Sequence, residues 1–195
     1  MSFINTIPES EAAGDVKAIY HSEKAAKGYL PNYAKLFCHR PKVMAAWRQL
    51  IKSIIENMDT RRYELVTLSA AGKLHSSYCM LAHGSVLEDK FYSSEELSEI
   101  VVNKDSPLLT PIEKAIMRFS EKIVINATSV TQNDIDALRN LGLKDDEIFE
   151  IVTVTTARCF FSKTLDALGA EPDNLYLNLD EKLRNNLTVG RSISV

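Results

Sequence analysis

The sequence predicts an all-α protein built as a multi-helix bundle. Three observations point there. Apolar residues recur at three- and four-residue steps along most of the chain. Helix starts and stops punctuate that pattern, with Thr110-Pro111 opening one stretch and Gly142 and Gly169 closing two others. No stretch pairs strict alternation with the tight-turn chemistry of a hairpin.

The elements follow in order. Over 41–58, Val43, Ala46, Trp47, Leu50, Ile51, Ile54 and Ile55 mark one helical face, and Pro41 suits the first turn. Asp59 can cap the next helix. There Tyr63, Val66, Thr67 and Ala70 mark one face and Leu65, Leu68 and Ala71 an adjacent one, so burial on most sides is expected. Ser76 or Ser77 can open a helix through Tyr78, Leu81, Ala82 and Val86. A short helix over 94–102 has Ser93 or Ser94 as its cap and Glu95 and Glu96 in its first turn.

Thr110-Pro111-Ile112-Glu113 is a capping-box start, followed by Ile116, Phe119, Ile123 and Val124 on one face. Thr131 can cap 135–141, which Gly142 stops. The segment 148–168 ends at Gly169. Its centre, Ile151-Val152-Thr153-Val154-Thr155-Thr156, is β-branched and could pass for a strand, but its length and flanking spacing favour a buried helix. A hinge is expected near 103–107. No Gly/Ser linker divides the chain, so residues 1–172 read as one domain and 173–195, with weak periodicity, as a C-terminal arm or tail.

Composition narrows the function. The chain has 195 residues, 45% of them from the AVILMFWYC set and 25% charged, enough for one sizeable core. A net charge of −3 leaves no basic footprint for nucleic acid. No apolar run approaches the roughly 20 residues that span a bilayer. No secretory signal opens the chain, and three cysteines are too few for a disulfide scaffold, so a cytoplasmic protein with free thiols is expected. No phosphate-binding glycine motif supports a nucleotide cofactor, and no cluster has metal-ligand spacing, so no cofactor and no metal are expected.

The segment from Glu64 to His83 carries the chemistry. Cys79 and His83 are four apart, on one helix face one turn from each other. A helix starting at Ser76 puts Cys79 in its first turn, where the dipole and unpaired N–H groups favour a thiolate. His83 can exchange a proton with the sulfur, and Glu64, on the preceding helix, can orient the imidazole. The competing reading is an inert core cysteine. His75 reads as a loop or cap-adjacent residue, and His21 and His39 as surface. Tyr29, Tyr33, Phe37 and Trp47 read as core, interface or pocket aromatics. Arg61 and Arg62 sit unfavourably at a helix start, as solvated charge or as an anion or intersubunit contact.

These residues resemble the AhpD/carboxymuconolactone decarboxylase family. Its peroxidase signature is a Glu, a Cys-x-x-Cys twelve residues later, and a His four past the second Cys. Glu64, Ser76-Ser77-Tyr78-Cys79 and Ala82-His83 match those spacings. The stretch from Thr110 through Lys122, the helix ended by Gly142 and the run from Leu165 to Pro172 resemble the C-terminal part of "uncharacterised peroxidase-related" members. The resemblance covers most of 10–172.

It implies an AhpD-like bundle and an alkylhydroperoxidase-like oxidoreductase, with a small hydroperoxide as substrate. Cys79 then matches the reacting thiol, His83 the proton relay and Glu64 the carboxylate behind it. Ser76 stands where the first cysteine belongs, so an intramolecular disulfide across the motif is not available. Ser76 is instead expected as helix cap and hydrogen-bond donor to the Cys79 thiolate. Regeneration then needs an external thiol or a second cysteine, Cys159 before Cys38. Lys163 stands where the family tends to have Arg. A homo-oligomer, trimer or hexamer, is also implied. Two other readings stand beside this one: a carboxymuconolactone decarboxylase-like acid–base enzyme, and a helical scaffold with a decayed site.

Overall fold

The computed structural model describes residues 2–194. Ten α-helices, linked by short turns, occur among the described residues, and no strand does. They are α1 (Gly14–Lys27), α2 (Asn32–Leu36), α3 (Pro41–Ile54), α4 (Thr60–Lys73) and α5 (Ser77–Lys90). They continue as α6 (Ser94–Val102), α7 (Pro111–Asn126), α8 (Gln132–Asn140), α9 (Asp145–Ala167) and α10 (Glu181–Leu187). No helix among the described residues is long and apolar enough to cross a membrane.

The centre of the bundle is α4. Every residue from Glu64 to Ala71 is buried, because α5, α7 and α9 pack around it. The two apolar faces of this helix predict that surround. The Asp59 carboxylate accepts from the Arg62 N–H at 2.8 Å and starts the helix. α3 ends at Ile54 rather than at residue 58, with Ile55 leaving the helix at a ψ of 4°. Met58 closes the intervening turn on the Ile55 carbonyl.

Reciprocal capping boxes open α6 at Ser93 with Glu96 and α7 at Thr110 with Glu113, and the Asp134 carboxylate takes the Thr131 N–H at 2.7 Å at the start of α8. The β-branched centre of α9 is helical. Thr153 and Thr155 return their hydroxyls to the carbonyls of Phe149 and Ile151, at 2.9 and 2.8 Å. Thr155 also reaches the Ser120 hydroxyl of α7 at 3.0 Å, so a polar residue at the helix crossing is satisfied. The helix starts at Asp145, earlier than the apolar pattern indicates, because Glu147 caps the Lys144 N–H at 2.9 Å.

The closing segment, expected as an arm or tail, packs onto the bundle. Leu183 and Leu187 of α10 are fully buried against α5 and α6. A Cβ built on Gly84 of α5 would lie 2.6 Å from a Leu187 methyl, so only glycine admits this approach. Beyond α10, the Gly190 N–H donates to the Ser77 hydroxyl at 2.7 Å.

Candidate active site

The turn between α4 and α5 sets the site. Ser76 N–H reaches the Ala71 carbonyl and His75 N–H the Gly72 carbonyl, a Schellman closure of α4. His75 occupies its left-handed position at φ 56°, where glycine is usual. That tight reversal lays α5 antiparallel against α4, so residues of the two helices meet across it. Cys79 falls in the first turn of α5, and His83 lies one turn on.

His83 Nδ1 lies 2.6 Å from Glu64 Oε2. A carboxylate can only accept, so Nδ1 carries the proton and Nε2 is left as an acceptor. Burial pushes the His83 imidazole below its ordinary value. Glu64 opposes that shift, and Arg158 and Lys27 reinforce it. The imidazole is therefore neutral near pH 7. The Tyr63 ring meets it edge-on at 5.7 Å.

Cys79 is 1% exposed. Its sulfur accepts a hydrogen bond from Ser162 Oγ at 3.1 Å and a longer contact from Arg158 Nη1 at 3.6 Å. Both donors come from α9, one turn apart. Arg158 Nη2 continues to the Tyr63 hydroxyl at 3.2 Å. Burial works against the Arg158 charge, but Cys79 and Tyr63 beside it hold the guanidinium above its ordinary value.

Ser76 caps α5 through its backbone position, and its hydroxyl is not a donor to the Cys79 sulfur. It is buried without a hydrogen-bond partner, beside the Asp166 carboxyl. The hydroxyl donor at the sulfur is Ser162, supplied by a helix the motif does not include. Cys38 and Cys159 are free as well. The Cys38 sulfur accepts from the Ile7 N–H at 3.3 Å. Cys159 faces Lys163, and burial pushes its thiol up.

A cavity of about 470 Å³ opens onto the sulfur. Its aromatic wall includes Tyr33, Trp47, Tyr63, Tyr78 and Phe161, with Arg158 among them and exposed Lys27 at one edge. Trp47 and Phe161 stack at 4.7 Å, and Tyr33 meets Phe161 edge-on at 5.6 Å. Leu175 and Tyr176, from the closing arm, complete the lining. Buried carboxylates anchor the walls from behind. Tyr78 donates to Asp173, which also receives the Asn32 N–H at 2.8 Å. Tyr33 donates to Glu23 at 2.6 Å, and Arg48 neutralises that carboxylate.

The structure thus brings Glu64, Cys79 and His83 to one place, with Ser76 just behind. Sequence reasoning missed Arg158 and Ser162. A signal was present: an arginine inside the longest apolar stretch, four residues from a serine. Of the other candidates, Tyr29, Tyr33 and Trp47 line the cavity, and His21 and His39 are exposed. Arg61 pairs with Glu113 at 2.8 Å and Arg62 with Glu147 at 2.6 Å, both within the chain. No group of three His, Cys, Asp or Glu suited to a metal ion occurs among the described residues.

No family model and no curated protein matches this chain. Solved structures do. An alkylhydroperoxidase AhpD core, an uncharacterized peroxidase-related protein from Ralstonia eutropha JMP134, superposes with a TM-score of 0.80 at 18% identity, covering 90% of this chain and 94% of that one. An uncharacterized peroxidase-related protein from Silicibacter sp. TM1040 gives a TM-score of 0.76 at 17% identity, over 90% and 91%. The debrominase Bmp8, bound to 2,3,4-tribromopyrrole, gives 0.72 at 13% identity, over 94% and 95%. These likenesses show that the chain has the AhpD-like fold.

Proposed function

We propose that this AhpD-like fold carries a single-cysteine, thiol-dependent hydroperoxide reductase. A fold shared with a debrominase does not select the reaction, so the reading rests on the site. The observation that carries it is one buried sulfur, opening on a cavity, with two donors on it and a neutral, carboxylate-anchored imidazole one turn away.

The chemistry follows from that arrangement. Nε2 of His83 takes the Cys79 proton as the hydroperoxide enters. The thiolate attacks the terminal oxygen. An S–O bond forms, the O–O bond breaks, and the departing alkoxide takes the proton from His83 to leave as the alcohol. Sulfur is oxidised to the sulfenic acid and the peroxide is reduced. Arg158 stabilises negative charge as it passes from sulfur to the leaving oxygen. An external thiol then condenses with the sulfenic acid, releasing water, and a second thiol frees Cys79 and departs as the disulfide. The roles are Cys79 as nucleophile, His83 as relay, Glu64 as its orienting group and Ser76 as the cap that starts the helix. Val43, Leu50, Phe149 and Phe160 expose apolar surface, which supports the homo-oligomer that the resemblance implies.

The test is mass spectrometry of the reduced protein after one equivalent of cumene hydroperoxide, with a sulfenic-acid trap. The adduct is expected on Cys79 alone. Equal labelling of the three cysteines, or none at Cys79, overturns the proposal.

A pH profile tests the relay. The base form of His83 exists above its pKa, which burial holds below 6.5. The peroxide-dependent rate should therefore stay flat down to that value and fall only in more acid solution. Glu64→Gln removes the one charge that raises this pKa, so the acid limb should move further down while the plateau drops. His83→Gln should cost about 10²-fold or more and erase the limb. A limb unchanged in His83→Gln would assign it to another group.

A further inference from the structure

Arg158 is 4% exposed, and no carboxylate forms an ion pair with it among the described residues. A guanidinium has five N–H donors. Here Nη1 serves the Cys79 sulfur, Nη2 serves the Tyr63 hydroxyl, and Nε is buried with no acceptor at all. A buried cation with unused donors is costly unless something supplies the missing acceptors. It lies in the wall of the cavity, among rings that pack edge-on and stacked. Lys27 adds a second positive charge at the edge, while Glu64 is occupied by His83 and Arg48 by Glu23. The acceptor that fits is planar, anionic and attached to an aromatic body.

The same guanidinium touches the reacting sulfur, so the anion it receives forms at that spot. We infer that the preferred substrate is an aromatic peroxycarboxylic acid, whose leaving group is a carboxylate delivered onto Arg158. The inference rests on the hydroperoxide-reductase reading. The Cys79 thiolate attacks the terminal peroxy oxygen, the S–O bond forms, and the O–O electron pair leaves on the aryl carboxylate. Sulfenic acid and carboxylate are the products, and the peroxy hydrogen remains on the sulfenic oxygen. An alkyl hydroperoxide instead leaves as an alkoxide, which has no second oxygen for the fork-shaped donor.

Two experiments decide it. The first reads binding by fluorescence of Trp47, the one tryptophan and part of the wall. Benzoate should bind about tenfold or more tighter than benzyl alcohol, the neutral analogue, and tighter than hexanoate. Arg158→Met should bring benzoate and benzyl alcohol together, and Arg158→Lys should restore part of the difference. Equal binding of benzoate and benzyl alcohol by the unaltered protein overturns the anion site without any variant. Equal binding of hexanoate overturns the aromatic part.

The second experiment compares kcat/KM for peroxybenzoic acid and cumene hydroperoxide. Their ratio should fall about tenfold in Arg158→Met, which cancels intrinsic reactivity. An unchanged ratio overturns the substrate class. The two readings fail separately. Benzoate binding that depends on Arg158 in a protein that consumes neither peroxide sinks the reductase and leaves the anion site. Consumption of both peroxides by Cys79 without benzoate preference does the reverse.

Discussion

Cys79→Ser should abolish hydroperoxide reduction, by about 10³-fold or more in kcat/KM, while Cys38→Ser and Cys159→Ser stay within about twofold of the parent. The contrast follows from where the three sulfurs lie. Only Cys79 has a cationic donor and a hydroxyl donor on its sulfur, an acceptor imidazole on its own helix face, and a cavity before it. Cys38 is buried beneath the N-terminal segment and serves the Ile7 N–H. Cys159 sits on the neighbouring side of α9, where burial disfavours its thiolate. Serine preserves the shape and the hydrogen-bonding capacity at position 79, so Ser162 keeps its partner and the variant should melt near the parent temperature. Thiol-dependent turnover by coupled assay, with thermal denaturation as a control for folding, checks this. Full activity in Cys79→Ser would remove the sulfur from the reaction.

Leu183→Ala and Leu187→Ala should each cost about 2–5 kcal/mol, measured by urea unfolding. Few residues on so short a helix carry that much. Both side chains are fully buried, in a slot between α5 and α6 that Gly84 keeps open. Little can collapse into the space a leucine leaves there, and a poorly filled cavity sets the upper end of the range. Against the 5–15 kcal/mol typical of a domain, either loss is large. Activity should fall with stability, since Leu175 and Tyr176 of the same arm line the cavity. A cost below about 1 kcal/mol would mean that the arm is detachable.

The arm also marks the limit of what the sequence makes legible. Leu183 and Leu187 are one helical turn apart on a seven-residue helix, which is too short for a periodic signal. Its stability comes from tertiary burial, which local pattern cannot report. Elsewhere the local code suffices. Asp59, Ser93 and Thr110 place three helix starts because each accepts from an orphan N–H three residues on, and at a fourth the Asp134 carboxylate takes the Thr131 N–H. The end of α3 eludes the apolar pattern, since Ile55 and Met58 remain partly or fully buried after the helix has stopped.

The site divides along the same line. Cys79 and His83 are legible because four-residue spacing is a local quantity. Glu64 is legible through the resemblance, and because a carboxylate amid apolar positions needs a partner. Arg158 and Ser162 meet the sulfur only through the docking of α9 on α5, and no spacing within either helix encodes that. The Ser76 expectation fails for a related reason. The residue is close to Cys79 in sequence, but after the Schellman turn its hydroxyl is buried beside the Asp166 carboxyl and makes no bond to the sulfur.

The turn at His75 reaches further than the site. The carbonyl of this left-handed residue lies so close to Gly190 that a Cβ there would stand 2.1 Å away, and Gly190 itself is tied to Ser77. The start of the cysteine helix is thus clasped by a residue 113 positions further along the chain, and the sulfur meets its donors only after 79 and 83 further positions. On a ribosome, the thiol emerges long before anything that can hold it. Assembly of the site around Cys79 is therefore a late, high-contact-order event, and a nascent or truncated chain carries the thiol without its electrostatic surroundings.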